Sequence, residues 1–418
     1  MSHPTASDRR AAGALRDTSD GLQSKLESRL LPLIRDAIDA GVGSAMGLGV
    51  VTTGGGRAMC IAGATLRFSE EPASPRGGNA SSTARAVTAS TLFDVASLTK
   101  PMVTSTLLAG AVAEGRLSLE QRLDSVLPAA VGAALGDRTL RSLLGHTSGA
   151  IAWHDFYAET RKLALDARPD AMLTAVLRHP LSRTAQPPTD DCAVYSDLGF
   201  IALGRALEVH FGAPLDVLFA RRVAAPLGLQ AQFRRISRRA SAPLDPPDRA
   251  VVATEIWPPR CPDGRPLQGV VHDDNCAGLD GVAGHAGLFA SLDDVLTWAR
   301  AWLQAVAGEQ TALGARLPAS LARAWVTSTG TGAPGPGSTT WRLGFDTPSS
   351  GQSSAGARVS DRAFGHLGFT GTSVWIDPTR GAAVVLLSNR VHPSRAAHAP
   401  IKALRPRVYD AVWGLLDT

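Results

Sequence analysis

The sequence predicts an α+β protein: one antiparallel β-sheet is formed from both terminal regions and flanked by helices, with a mostly helical domain inserted between. Three observations carry this reading. Two apolar runs, Ser44 to Thr52 and Arg57 to Arg67, flank Gly54-Gly55-Gly56, the pattern of a hairpin whose glycines supply positive φ. Strand-like runs return near the C-terminus, at Trp341 to Asp346, Phe364 to Phe369, Thr372 to Asp377 and Ala382 to Ser388. Between them, helical patterns alternate with Pro/Gly-rich loops.

In chain order, Met1 to Gly21 is polar and charged and reads as a disordered N-terminal arm. Leu22 to Ala40 has apolar residues at helical spacing. After the hairpin, Ser69 to Ala89 is rich in Ser, Gly, Pro and Ala and is expected to be an exposed loop. Phe93 to Ala96 leads into a helix that runs to about Glu114 and stops at Gly115. Pro101 sets its start near Ser97, because a proline ring is tolerated in a first turn and clashes with the preceding carbonyl deeper inside. Further helices are expected at Ala171 to His179 and Leu198 to Phe211, then a long loop at Ala240 to Gly269. Leu292 to Leu303 is a helix with a core face, Thr327 to Thr340 is Gly/Pro/Ser-rich, and Ile401 to Leu416 is the last helix. The chain so divides into a discontinuous sheet-containing domain, 22–96 with 284–418, and a mostly helical domain, 97–283, with the candidate site at their interface.

At 418 residues and 44% hydrophobic content the chain can bury a large core. No apolar run reaches the roughly 18 residues of a membrane span. The N-terminus lacks an apolar export segment, and none follows Arg9-Arg10, so a cytoplasmic location is expected. The net charge of +5 is scattered; its densest run, Arg234-Arg235-Ile236-Ser237-Arg238-Arg239, lacks interleaved aromatics and reads as a solvated surface, not a nucleic-acid site. Cys60, Cys192, Cys261 and Cys276 form no C-x-x-C pair and are expected as reduced thiols, with Cys192 placed by its spacing from Tyr195 near the site.

Lysine is rare here, 4 residues against 38 arginines, and Lys100 closes the chain's one Ser-x-x-Lys, Ser97-Leu98-Thr99-Lys100. On a helix, positions i and i+3 share a face, so the Ser97 hydroxyl and Lys100 amine come within reach. A lysine can lose its proton when desolvated and an arginine cannot, so the pair reads as nucleophile and activating base. The helix N-terminus adds free N–H groups and a positive dipole end. Two further constellations are Tyr195-Ser196-Asp197, at the opening of an apolar helix, and Gly365-His366-Leu367-Gly368-Phe369-Thr370-Gly371-Thr372, a glycine-punctuated strand end. Taken singly, Ser97 fits a helix N-cap, Lys100 a solvated lysine, Tyr195 a packing residue and His366 a structural strand residue.

Together, in this order, the three motifs resemble the serine β-lactamase and penicillin-binding-protein superfamily, in particular its class C-like branch, which includes carboxylesterases and D-amino-acid peptidases. Further similarities are Gly115-Arg116-Leu117-Ser118-Leu119, Leu143-Leu144-Gly145-His146-Thr147-Ser148-Gly149, Val271-His272-Asp273 and Gly281 to Phe289. The resemblance implies a β-lactamase/transpeptidase-like fold and a serine hydrolase. Ser97 is then the acylated nucleophile, Lys100 and Tyr195 share the proton transfers, and the backbone N–H groups of Ser97 and Phe369 form an oxyanion hole worth a factor of roughly 10²–10³ per donor. His366 takes the place of the family's lysine, tuning Tyr195, and predicts a rate limb between about pH 5.5 and 7.5.

Asp197, Leu367 and Gly368 fall at substrate-binding positions. Asp197 stands where asparagine is common, and Leu367 replaces a threonine that helps hold an antibiotic's carboxylate. Both departures favour a small-molecule ester, or an amide of D-amino-acid type with an uncharged or cationic end, over an anionic β-lactam. A class C-like β-lactamase, a DD-peptidase, an acyltransferase using the same acyl-enzyme and a non-catalytic binding protein remain as alternatives. No cofactor is implied. His272, Asp273, Asp274 and His285 could be read as metal ligands, but their spacing matches no helical zinc motif and serine-lysine chemistry needs no metal, so loop-fixing hydrogen bonds are expected. His146-Thr147-Ser148-Gly149 reads as a structural turn. Specificity is expected from the segments around Trp153 to Tyr157 and Ala240 to Asp280, with Trp153, Phe156 and Tyr157 as candidates for an acyl pocket or for domain packing.

Overall fold

Along β8 (Ala382–Ser388) every residue is apolar or small and every one is buried, the pattern of a strand covered on both faces. This computed structural model describes residues 19–66, 84–182, 193–239, 250–332, 339–396 and 398–417. Helix α1 (Ser19–Asp39) precedes the hairpin of β1 (Ala45–Thr52) and β2 (Arg57–Gly63). Next come β3 (Phe93–Asp94), α2 (Thr106–Ala113), α3 (Arg168–Arg178), α4 (Asp197–Phe211), β4 (Gln232–Phe233) and β5 (Leu288–Ala290). The chain continues through α5 (Leu292–Ala307), α6 (Ala319–Thr327), β6 (Phe364–Leu367), β7 (Ser373–Asp377) and β8, and closes with α7 (Ala399–Leu416).

The main sheet has the order β2-β1-β8-β7-β6, antiparallel throughout, so both ends of the chain build it as expected. Alternation along β8 sends Ala383, Val385 and Leu387 to one face and Ala382, Val384 and Leu386 to the other. The first set packs with Leu292 and Leu296 of α5; the second packs with Leu26, Leu30 and Ile34 of α1 and Val408, Tyr409 and Trp413 of α7. α5 reaches β1 because Gly49 has no side chain: a Cβ there would sit 2.5 Å from Leu296 Cδ1. The helix is anchored at its start by a capping box, with Asp294 N donating to Ser291 Oγ at 3.1 Å and Ser291 N to Asp294 Oδ2 at 3.0 Å. The α5-side cluster runs on without a break into Leu198, Phe200 and Leu203 of α4, so the helical layer shares its core with the sheet.

A second sheet, β3-β5-β4, escaped the sequence reading because its strands are two or three residues long and carry no period. The expected strand at Trp341 to Asp346 is irregular and keeps one bridge, Asp346 to Gly365. Gly344 breaks it: its φ is +83°, and a Cβ there would meet Ser105 Cβ at 2.7 Å. The strand expected to reach Phe369 stops at Leu367, because Gly368 to Thr372 folds into a tight turn closed by Gly371 N to Gly368 O at 3.0 Å and Gly368 N to Thr372 O at 2.7 Å. α1 begins at Ser19, so the end of the predicted disordered arm is helical; the rest of that arm lies outside the described residues, as do 69–83 of the predicted Ser69 to Ala89 loop. Among the described residues no helix is long and apolar enough to cross a membrane.

Candidate active site

Ser97 is presented by a strained turn. The residue before it, Ala96, has φ +49°, a region that side chains resist. Asp94 holds that turn, its Oδ1 accepting Ala96 N–H at 2.8 Å and its Oδ2 accepting His272 N–H at 2.7 Å. Thr99 Oγ donates to Ala96 O at 2.7 Å. A short 3-10 turn, Ala96–Leu98, then widens into a π-type turn, Lys100–Ser105, with Pro101 in its first turn as its missing N–H requires.

Lys100 Nζ lies 3.1 Å from Ser97 Oγ, the juxtaposition expected of Ser-x-x-Lys. It also donates to Asp197 Oδ1 at 2.6 Å and to His285 O at 3.2 Å. Nζ stands 4.8 Å from the centre of the Tyr195 ring. Lys100 is 0% exposed, and burial alone lowers its pKa; the Asp197 carboxylate, then Tyr195, outweigh burial and the net shift is upward. The sequence had pointed to a desolvated neutral amine. The chain instead holds an ammonium against Ser97, and Asp197, expected among the substrate contacts, is the counter-ion that keeps it charged. Burial likewise raises the Tyr195 phenol, opposed by Lys100 and by hydrogen bonding to Lys100 and Ser97, and its net pKa is above the ordinary value.

His366 stands with its ring centre 5.8 Å from that of Tyr195. Its Nδ1 donates to Leu367 O at 2.8 Å, so Nδ1 carries the proton, and the buried Nε2 has no hydrogen-bond partner among the described residues. Burial, reinforced by Lys100, lowers its pKa to about 3. The expected rate limb between about pH 5.5 and 7.5 therefore does not come from His366, which is neutral throughout that range. Sequence reasoning missed two neighbours: His146 and Trp341 pack on Tyr195 at 4.8 Å between ring centres in each case. The turn assigned to His146-Thr147-Ser148-Gly149 is thus buried behind Tyr195.

The third motif supplies the opposite wall. Arg405 of α7 is buried and its Nη2 donates to Gly368 O at 3.0 Å and Thr372 O at 2.9 Å. Because a trans peptide points its N–H opposite to its carbonyl, anchoring Gly368 O directs the Phe369 N–H away from Arg405. Ala96 O, gripped by Thr99, fixes the Ser97 N–H in the same way. Ser97 and Phe369 both line one cleft of about 1270 Å³, together with Tyr195, Asp197, His366, Leu367 and Gly368. Thr370 and Thr372 tie this strand end to the nucleophile segment through Asp94 O at 2.7 Å and Val95 O at 3.0 Å.

Lys402, Arg405 and Arg395 line the cleft, Arg395 being paired with Glu255 and Asp274, and Asp273, Asp274, Asp346 and Asp410 line it too. Trp153 lines it at 48% exposure. Phe156 is buried and packs edge-on against His154 and His179, and Tyr157 joins the apolar cores, so neither forms an acyl pocket. Much of the rim comes instead from Gly351 to Ala357 and from α7, segments that no motif marks. Of the Ala240 to Asp280 segment, 240–249 lies outside the described residues, as does Cys192. Cys60, Cys261 and Cys276 are buried free thiols.

His272 Nε2 pairs with Glu255 at 3.0 Å, His285 Nε2 with Asp273 at 2.9 Å, and Asp274 with Arg260 at 3.2 Å, the loop-fixing contacts expected of them. Asp197, Asp273 and His285 present ligand atoms within 4.8 Å of one another, where Asp197 is paired with Lys100 and Asp273 with His285, and the Asp273 carboxyl is held well below the usual carboxylate range. Burial raises that carboxyl; His285, the Cys276 N–H and Lys100 outweigh it. In the Arg234 to Arg239 run, Arg235 is paired with Asp216 and Asp280.

Over 321 residues the chain is 30% identical to the N-acetylmuramyl-L-alanine amidase of Bacillus subtilis, covering 72% of this chain and 68% of that protein. It is 28% identical over 329 residues to a putative D-alanyl-D-alanine carboxypeptidase of Escherichia coli, covering 73% and 70%. EstCE1, described as a hydrolase with promiscuous acyltransferase activity, shares the fold with a TM-score of 0.67 at 18% identity, over 94% of this chain and 99% of that one. The sequence model of the Beta-lactamase family matches residues 34–405, and the chain belongs to that family, as a serine hydrolase of the β-lactamase/transpeptidase-like fold.

Proposed function

We propose that the chain hydrolyses a carboxylic ester or a D-amino-acid-type amide through an acyl-Ser97 intermediate. The observation that carries this is the contact of Lys100 Nζ with Ser97 Oγ at 3.1 Å, beside the Tyr195 hydroxyl and open to a large cleft. Ser97 Oγ attacks the substrate carbonyl while its proton passes to the Tyr195 oxygen, and Tyr195 gives its own proton to the leaving-group atom. The Oγ–carbon bond forms, the carbon–leaving-group bond breaks, and the Lys100 ammonium stabilises the negative charge that develops on the shuttle. Water then repeats the relay in reverse, restoring the Ser97 proton and releasing the acid. The N–H groups of Ser97 and Phe369 are the donors for the oxyanion. This shuttle never requires free phenolate, which suits a tyrosine whose pKa is raised.

One observation favours a substrate with an anionic end. Leu367 offers no hydroxyl to a carboxylate, yet Lys402 and Arg405 line the same cleft. Their charges support a peptidase-type substrate ending in a carboxylate, beside the uncharged ester. An acyl acceptor other than water would use the same intermediate.

Intact-protein mass after brief exposure to a small activated ester, wild type against Ser97→Ala, tests this reading. One acyl adduct or turnover in the wild type alone assigns Ser97. Equal labelling of both proteins means another nucleophile, and no labelling by several esters leaves a non-catalytic binding protein.

A further inference from the structure

His146 grips the chain on both sides of Tyr195. Its carbonyl accepts Val194 N–H at 3.0 Å, and its ring Nδ1 accepts Ser196 N–H at 3.1 Å. One residue thereby holds the chain at Val194, just before the tyrosine, and at Ser196, just after it. The imidazole also packs on the Tyr195, Phe200 and Trp341 rings, with centres 4.8, 5.2 and 4.7 Å away. The segment has other tethers, Ser196 Oγ to Ile151 O at 2.7 Å and Asp197 N to Ala152 O at 3.0 Å, but these hold only the residues after Tyr195.

We propose that His146 is a positioning residue for Tyr195, acting as a neutral imidazole whose Nδ1 is a fixed acceptor. The inference rests on the acyl-Ser97 reading and adds to it the group that sets the register of the proton shuttle. A backbone N–H can only donate, so Nδ1 must carry the lone pair and Nε2 the proton. Protonation at Nδ1 would set donor against donor and release Ser196. The surroundings oppose it: His146 is 2% exposed, and burial, then the charge of Lys100, then His366, lower its pKa well below the usual value. The backbone is held for the purpose too. His146 has φ +60°, the left-handed region that few non-glycine residues adopt, asparagine, aspartate and histidine being the commonest of them. A ring that served only as packing would need no specified tautomer.

Three variants separate the acceptor from the backbone. His146→Asn keeps an acceptor oxygen at about the Nδ1 branch position and tolerates positive φ; His146→Gly tolerates positive φ and has no acceptor; His146→Ala has neither. The expected result, for an activated ester, is that His146→Gly loses about 10- to 100-fold in kcat, the range of one lost buried hydrogen bond, with KM within about twofold. His146→Asn returns to within about fivefold of wild type, and His146→Ala is the worst of the three. Equal losses in the Asn and Gly variants at matched melting temperature would overturn the proposal. If the variants do not fold, 15N shifts of the wild-type imidazole decide: a ring protonated only at Nε2 between about pH 5 and 9 supports it, and a proton on Nδ1 overturns it. A wild type that no ester acylates fails on the acyl-Ser97 reading instead, and the tautomer measurement stands apart from that outcome.

Discussion

Lys100 Nζ sits 2.6 Å from Asp197 Oδ1, so the cation that touches the Ser97 hydroxyl is paired with a carboxylate carried two residues after Tyr195. An asparagine at that place would accept the same hydrogen bond and remove the hydrogen-bonded counter-charge of an ammonium that is itself fully buried. The pairing therefore decides which protonation state Lys100 brings to the reaction: a fixed positive charge, not a base waiting to be deprotonated.

Replacing Asp197 by Asn tests this. Burial lowers the pKa of Lys100 and Asp197 is the largest of the groups that raise it, so the variant shifts the lysine downward, and the expectation is that burial then prevails over Tyr195. In the wild type a raised lysine contributes stability that is complete below its unfolded pKa of about 10.4 and is lost as pH rises through the folded value. In Asp197→Asn the sign reverses, and stability falls as pH drops from about 10 toward the lowered folded value. Near neutral pH the expected loss is about 3 kcal/mol, the low end for breaking a buried pair, because the amide oxygen keeps the hydrogen bond. The kcat/KM profile gains a lysine limb below about pH 10 that the wild type lacks. Superimposable denaturant melts and pH profiles would falsify the assignment.

A limb near neutrality, where it occurs, is expected from Asp346 and not from His366. Asp346 lines the cleft, and burial raises its carboxyl to about 6 against the lowering by Thr340, the Thr347 N–H and Arg342. A carboxylate appears in the cleft wall as pH passes through that value. Asp346→Asn should remove the limb and His366→Gln should leave its position unchanged, in kcat/KM measured from about pH 4 to 9. The stability sign is opposite to that of a salt-bridged aspartate. The folded state keeps the proton between about 3.9 and 6, so stability declines as pH rises across that window, by up to about 3 kcal/mol, and Asp346→Asn flattens the slope.

The strand end near Phe369 leaves no room for a side chain at Gly368. A Cβ would stand 2.0 Å from Thr372 Oγ and 2.7 Å from Val95 O, and the second contact is backbone. Gly368→Ala must move the peptide whose N–H belongs to Phe369, pulling one candidate oxyanion donor out of place. The expected outcome is a fall of roughly 10²–10³ in kcat, with a melting temperature lowered by only a few degrees. Retention of full kcat would show that the Phe369 N–H is not a donor to the oxyanion.

What the sequence makes legible follows from the range of the interactions involved. Ser97 and Lys100 are three positions apart on one turn, and Tyr195 opens an apolar helix, so local spacing exposes all three. The sheet is legible for a similar reason: β8 and the β1–β2 hairpin are written in short apolar runs around turn residues. The state of Lys100 is not, because it depends on a 2.6 Å contact between residues 97 positions apart. Nor is the neutrality of His366, since only burial sets it. His146 and Arg405 hold Ser196 and Gly368 across 50 and 37 positions, and neither carries a local pattern beyond its motif or helix. The false strand at Trp341 to Asp346 had the right composition and lacked only the information that Gly344 must turn against Ser105.

The cationic wall should select among substrates without touching the chemistry. Lys402 is exposed on α7 and lines the cleft, whereas Arg405 also holds Gly368 and Thr372 and is a poor probe because its loss disturbs the strand end. Lys402→Gln therefore isolates the charge. For an ester bearing a free carboxylate on its leaving group, KM should rise about two- to fivefold with kcat kept, the size expected of one exposed charge pair, and the difference should shrink in high salt. For the matching neutral ester KM should not move. A rise of equal size for both esters would mean that Lys402 shapes the cleft by its stem and not by its charge, and the case for a carboxylate-bearing substrate would then rest on Arg405 and Arg395 alone.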